Sequence, residues 1–131
     1  MGYRMIKLCY CLVRRPELSR AAFQDYWRNR HAPLVRAAAP ALAIRRYVQS
    51  HSISDPTIQA AAAARGIPVG DGAQAFDGVA ELWFESTESL AAAALTEEGR
   101  KHAMILVTDE AKFIDLPKSR LFAVREIEII A

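Results

Sequence analysis

The chain has 131 residues, the size of one ordinary domain, which can bury about two thirds of its unfolded surface. Its 17 basic and 15 acidic side chains nearly cancel, so no strong field exists to recruit a phosphate backbone or an anionic membrane, and neither nucleic acid nor a membrane is expected as a partner. The opening MGYRMIKLCYCLVRR carries too short an apolar run for a signal peptide, and no stretch approaches the roughly 18 apolar residues of a membrane span, so a soluble, cytoplasmic protein is expected.

Residues Arg4 to Val13 alternate and are rich in Ile, Leu, Tyr, Cys and Val, and Arg14-Arg15-Pro16 closes the run, which predicts a first strand. Cys9 and Cys11 would then face the same side about 6.6 Å apart, too far for a relaxed disulfide. No second Cys pair and no His-x-x-x-His supplies further metal ligands, so both read as small apolar side chains and no metal is expected. Ser19 suits an N-cap, and Phe23, Tyr26, Trp27, His31 and Leu34 follow at helical spacing with their bulky face toward the core. Pro33 disfavours helical geometry at Ala32 and suits the first turn of a helix, so a break or restart is predicted at His31-Ala32-Pro33.

Ala43 to Ile53 reads as a second strand, with Ile44, Arg46, Val48 and Ser50 on one face and Arg45, Tyr47, Gln49 and His51 on the other. An insertion over 55–75 follows: Asp55-Pro56 starts a short Ala-rich helix, Gly66 stops it, and a mobile loop is expected from Ile67 to Ala75. Asp77 to Glu85 is a third strand, with Ala80, Leu82 and Phe84 opposed to Val79, Glu81 and Trp83. Ser86 or Thr87 can cap a helix through Leu90 to Leu95, and another stretch runs from Thr96 to about Val107. Asp109 could cap a short turn carrying Phe113, and Leu121 to Ile130 reads as a fourth strand.

This order predicts an α+β fold of the ferredoxin-like βαββαβ type, one domain over 1–131, with an antiparallel four-stranded sheet and all helices on one face. The other face would hold Tyr47, Trp83 and several aliphatics, a surface that invites association. A homodimer closing two sheets into a barrel is therefore expected, with a hollow between sheet and helices.

No Gly-rich phosphate loop, Gly-x-Ser-x-Gly elbow or His-Glu-x-x-His helix is present, so any chemistry has to come from a pocket. His31 leads, because a helix break lets its imidazole reach a cavity and titrate near neutral pH; a helix-terminal histidine bonded to a nearby carbonyl is the plainer account. Arg45, Tyr47, Gln49 and His51 share a strand face that could line a cavity with Glu81 and Trp83 opposite, or could form a dimer interface. Glu81 could act as a general acid or base or pair with Arg45. Asp77 before Gly78 suits turn chemistry, capping accounts for Asp109 unless it faces the pocket, and His102 belongs to a solvated helical face.

Arg15-Pro16, Ser19 with Phe23 and Tyr26-Trp27, His31-Ala32-Pro33-Leu34, and Arg46-Tyr47-Val48-Gln49 with His51 together resemble the ethyl tert-butyl ether degradation (EthD) family. The resemblance resumes at Phe76-Asp77-Gly78-Val79-Ala80-Glu81-Leu82-Trp83-Phe84 and at Asp109-Glu110 with Phe113-Ile114-Asp115. It implies the dimeric α/β barrel, a homodimer whose members include cofactor-free monooxygenases, isomerases, cyclases and dehydratases of small aromatic or polyketide-like compounds. The family's histidine falls on His31 and its Asp-Gly aspartate on Asp77. The resulting expectation is a cofactor-independent lyase, dehydratase or isomerase without metal, acting on a small apolar or aromatic ligand. His31, Tyr47, His51 and Asp77 would be catalytic, and Trp27, Arg45, Glu81, Trp83 and Phe113 would bind substrate. A cofactor-free monooxygenase and a non-catalytic metabolite-binding protein are the alternatives.

Overall fold

The structure, a computed structural model, describes residues 5–69 and 76–131; Arg4 and the 70–75 part of the expected mobile loop lie outside the described residues. In chain order the elements are β1 (Ile6–Leu12), α1 (Arg20–Tyr26), a π-turn (Trp27–His31), α2 (Ala32–Leu42), β2 (Arg46–His51), α3 (Pro56–Ala64), β3 (Gly78–Phe84), α4 (Thr87–Leu95), α5 (Glu97–Glu110), a 3-10 turn (Leu116–Lys118) and β4 (Arg120–Val124). Local chemistry sets most boundaries. The Ser19 hydroxyl accepts from the Ala22 amide, Asp55 from Thr57 and Ile58, Ser86 from Ser89, and Thr96 from Gly99. Gly66, at φ 72, stops the chain after α3 where a side chain would be strained.

The four strands pair antiparallel in the order β2-β3-β1-β4, which is the ferredoxin-like arrangement. Register places Leu8 opposite Leu82 on one side and Ala123 on the other, and Tyr47 opposite Leu82. These residues, with Ala80, Tyr10 and Leu12, face the helices. Lys7, Cys9, Cys11, Arg46, Val48, Val79, Glu81, Trp83 and Phe122 face the other way. Cys9 and Cys11 are both free thiols on that open side.

The interior between sheet and helices is packed: Leu12, Phe23, Trp27 and Phe113 are fully enclosed, with Ala80 and Ile114 beside them. Phe23 stacks at a tilt on both Trp27 and Phe113 with ring centroids 5.5 Å apart. Full burial of a side chain such as Phe23 contributes about 1.5–3 kcal/mol. A second cluster, Val35, Ala38 and Leu106, joins α2 to α5, and Tyr47 packs against both clusters.

Four expectations are corrected here. Tyr47 does not share the bare face with Trp83; it lies under the helices, because alternation separates two faces without saying which one turns inward. Where a hollow was expected, aromatic side chains fill the interior. The fourth strand ends at Val124 rather than Ile130, and Ile127, Ile129 and Ile130 are exposed. Asp109 caps nothing at a helix start, since α5 runs through it to Glu110.

Candidate functional site

His31 owes its position to an interrupted helix. The Ala32 amide bonds to the Trp27 carbonyl five residues back, the wider spacing of a π-turn, and Pro33 then opens α2 without needing an amide partner. The Trp27 carbonyl also accepts from Gln49 Nε2 at 2.9 Å, tying the turn to β2. The turn buries Trp27 and His31, leaving His31 4% exposed.

Two carboxylates from the end of α5 flank the imidazole. His31 Nδ1 lies 2.8 Å from Asp109 Oδ2, and Asp109 Oδ1 accepts from the Tyr26 hydroxyl at 2.6 Å. An ionised carboxylate only accepts, so the Nδ1 proton belongs to His31 and neutral imidazole presents Nε2 as a base. Nε2 lies 3.9 Å from Glu110 Oε2. Phe113 closes the cluster, its ring 5.1 Å from His31 and 4.9 Å from Tyr26.

Electrostatics follow from this enclosure. Burial holds the His31 imidazole below its usual value, opposed by the bond to Asp109 and its charge. Burial, with Asp109's charge adding to it, pushes Glu110 up to about 7. Burial first and then the Asp109 hydrogen bond push Tyr26 up to about 12. Tyr10 is likewise pushed up to about 12, by burial and then by Glu110. The cluster thus combines a neutral base with a carboxyl group that holds its proton close to neutrality.

The other residues expected at the site are dispersed. Tyr47, Gln49 and His51 form a string on β2: Gln49 Nε2 donates to the Tyr47 hydroxyl at 3.0 Å, and Gln49 Oε1 lies 2.8 Å from His51 Nε2. The His51 ring stacks on Trp27 at 4.5 Å, and burial followed by the charge of Arg28 lowers its pKa. This string borders a groove of about 600 Å³ lined by Ala21, Gln24, Asp25, Arg28, Asn29, Gln49 and His51. A smaller groove of about 220 Å³ lies between α2 and β2 and includes Ala32, Val35, Ile44, Arg45 and Tyr47. His31 lines neither groove.

Asp77 is buried away from solvent, accepting from the Arg14 amide at 2.8 Å and from its guanidinium at 2.6 Å, so it pins the start of β3 to the end of β1. Glu81 pairs with Lys7 at 2.6 Å, and the exposed Arg45 reaches Glu85 at 3.4 Å rather than Glu81. Trp83 sits on the open face under Arg46 and Lys7, 4.5 and 5.0 Å from its ring, and its indole donates to Glu126 at 2.6 Å. Arg45, Glu81 and Trp83 are therefore not gathered around His31; Phe113 lies beside it, and Trp27, in the same π-turn, packs on Phe23 and His51. Sequence reasoning gave Asp109 to capping unless it faced the pocket, and named Tyr26, on a core-facing helix side, and Glu110, within the family resemblance, without a role at the site. The signal was present in the Asp109-Glu110 pair, two adjacent carboxylates just ahead of an enclosed Phe113.

Among the described residues no group of three or more His, Cys, Asp and Glu side chains is placed to hold a metal ion, and no helix is long and apolar enough to cross a membrane. The family model for the EthD domain matches residues 15–117. A crystal structure of an ethyl tert-butyl ether degradation (EthD) family protein from Bacillus halodurans is 25% identical, covers 94% of this chain and 99% of its own, and superposes with a TM-score of 0.60. A dimeric protein of unknown function and ferredoxin-like fold from Bacteroides fragilis is 9% identical over 96% of this chain and 100% of its own, with a TM-score of 0.56. SnoaB, a cofactor-independent oxygenase from Streptomyces nogalater, is 9% identical over 97% of each chain, with a TM-score of 0.55. No curated protein matches the chain.

Proposed function

The chain belongs to the EthD domain family, and from that premise we propose that it binds a small apolar or aromatic carbonyl compound and acts as a cofactor-independent lyase of the dehydratase type, or an isomerase, in which His31 moves a proton. The observation that carries the proposal is the orientation of His31: Nδ1 is held at 2.8 Å by a carboxylate that itself accepts from Tyr26, so the imidazole is fixed in one tautomer with Nε2 as the base. Substrate approaches through the groove that Ala32 and Tyr47 line, and side chains around His31 give way to admit it. Tyr47, held protonated by burial, is the donor that polarises the carbonyl oxygen. His51 and Asp77 serve position, one on Trp27 and the other on Arg14.

The proposed protein is a cytoplasmic homodimer, with the second copy on the open sheet face around Trp83, Val79 and Val48. The test begins with a thermal-shift screen of small aromatic and polyketide-like carbonyl compounds, because a ligand that binds only the folded state raises its melting temperature. For a hit that is turned over, His31→Ala abolishes turnover while the thermal shift persists; an unchanged rate removes His31 from the mechanism. A substrate-linked uptake of dioxygen would replace the lyase with an oxygenase.

A further inference from the structure

We propose that Glu110 is a second catalytic residue of this site, the acid that protonates the departing hydroxyl of a β-hydroxy carbonyl substrate after His31 has taken the neighbouring α-proton. This rests on His31 being the base, as proposed above, and it narrows the reaction to dehydration.

Geometry carries the assignment. Glu110 is the last residue of α5, and its Oε2 lies 3.9 Å from the one imidazole nitrogen that Asp109 leaves free. That separation is too long for a direct hydrogen bond, so the carboxyl group is not spent on the imidazole and stays free to reach a substrate held against Nε2. Asp109 cannot take the part, since one of its oxygens accepts from Tyr26 and the other is engaged by His31. The groups that face Glu110 are His31 from the π-turn, Asp109 on its own helix, Tyr10 from β1 and Tyr47 from β2. None of these is a cation that would hold the carboxyl group ionised. Burial and Asp109 keep its proton up to about pH 7, so the acid is loaded near neutrality.

The step balances within the chain. The α-C–H bond breaks, its proton goes to Nε2, and its electron pair becomes the new C=C bond. The β-C–O bond breaks, and its oxygen leaves as water with the Glu110 proton. Imidazolium and carboxylate then stand 3.9 Å apart, and the water just released relays the proton from Nε2 to Oε2, restoring both groups. Base and acid lie on one side of the substrate, so elimination is syn.

The probe is the aldol of benzaldehyde and acetone, whose dehydration to benzylideneacetone is followed by absorbance, while exchange of its α-hydrogens in deuterium oxide is followed by NMR. The full-length chain is expected to accelerate both reactions. Glu110→Gln should slow dehydration about a hundredfold or more, the range of a general acid, and leave α-exchange within a few-fold. Glu110→Asp, which keeps the carboxyl group but shortens its reach, should behave likewise and covers a failure of the glutamine variant to fold. Dehydration at the wild-type rate in either variant overturns Glu110 as the acid, as does parallel loss of exchange in a folded variant, which would make it a positioning residue. His31→Gln retaining exchange would instead sink the base proposed above and leave Glu110 to be judged on its own variants. A wild-type chain inert in both reactions overturns the β-hydroxy carbonyl assignment.

Discussion

Glu110 links the chemistry of single residues to stability. Its pKa is raised on folding, so between about pH 4.5 and about pH 7 the folded chain keeps a proton that the unfolded chain releases, and stability falls as pH rises through that window. His31 acts with the opposite sign: its pKa is lowered on folding, so its contribution grows as pH rises toward 6.5. Subtracting a Glu110→Gln variant isolates the first effect. Urea unfolding across that range should show wild type losing on the order of 3 kcal/mol relative to the variant, and parallel curves would mean that Glu110 ionises as freely as in water. Asp109 teaches a related lesson. Its place ahead of Phe113 suggested a cap, but whether a carboxylate ends a helix or points inward from it depends on what packs there, and here Tyr26 and His31 supply the partners.

Among elements, the crossing of the π-turn over β3 leaves no room for a side chain. A Cβ on Gly78 would lie 2.5 Å from the Trp27 ring and 2.7 Å from the Ser50 carbonyl, so Gly78→Ala forces the indole and β2 apart. It should cost about 1–3 kcal/mol in denaturant unfolding, and a cost near zero would show that Trp27 shifts freely. The sequence had much of this in view: Ser19, Asp55 and Ser86 marked helix starts, and Pro33 marked the break that seats His31. Less was visible where the outcome depends on partners. The Tyr47 and Trp83 faces were separated correctly by period along each strand, yet their pairing across strands needed the Tyr47–Leu82 register. Alternation in Glu126-Ile127-Glu128-Ile129 resembled a strand, but β4 pairs with β1 only through Val124.

For the whole molecule, the side of the sheet away from the helices is the surface still to be covered. It carries Val48, Val79 and Phe122 alongside the Lys7–Glu81 pair and Trp83, and the exposed Ile127, Ile129 and Ile130 lie just beyond β4. Gel filtration should give a dimer, and Val79→Asp should yield a monomer with unchanged circular dichroism; a wild-type monomer at micromolar concentration would end the barrel proposal. The two tryptophans stand on opposite sides of one sheet, Trp27 enclosed at 1% exposure and Trp83 among charges on the open face. The chain therefore has a separate optical reporter on each side: dilution that parts two copies should alter emission from Trp83 alone, whereas Trp27 should redden only when the interior melts, letting dissociation and unfolding be timed separately in one sample.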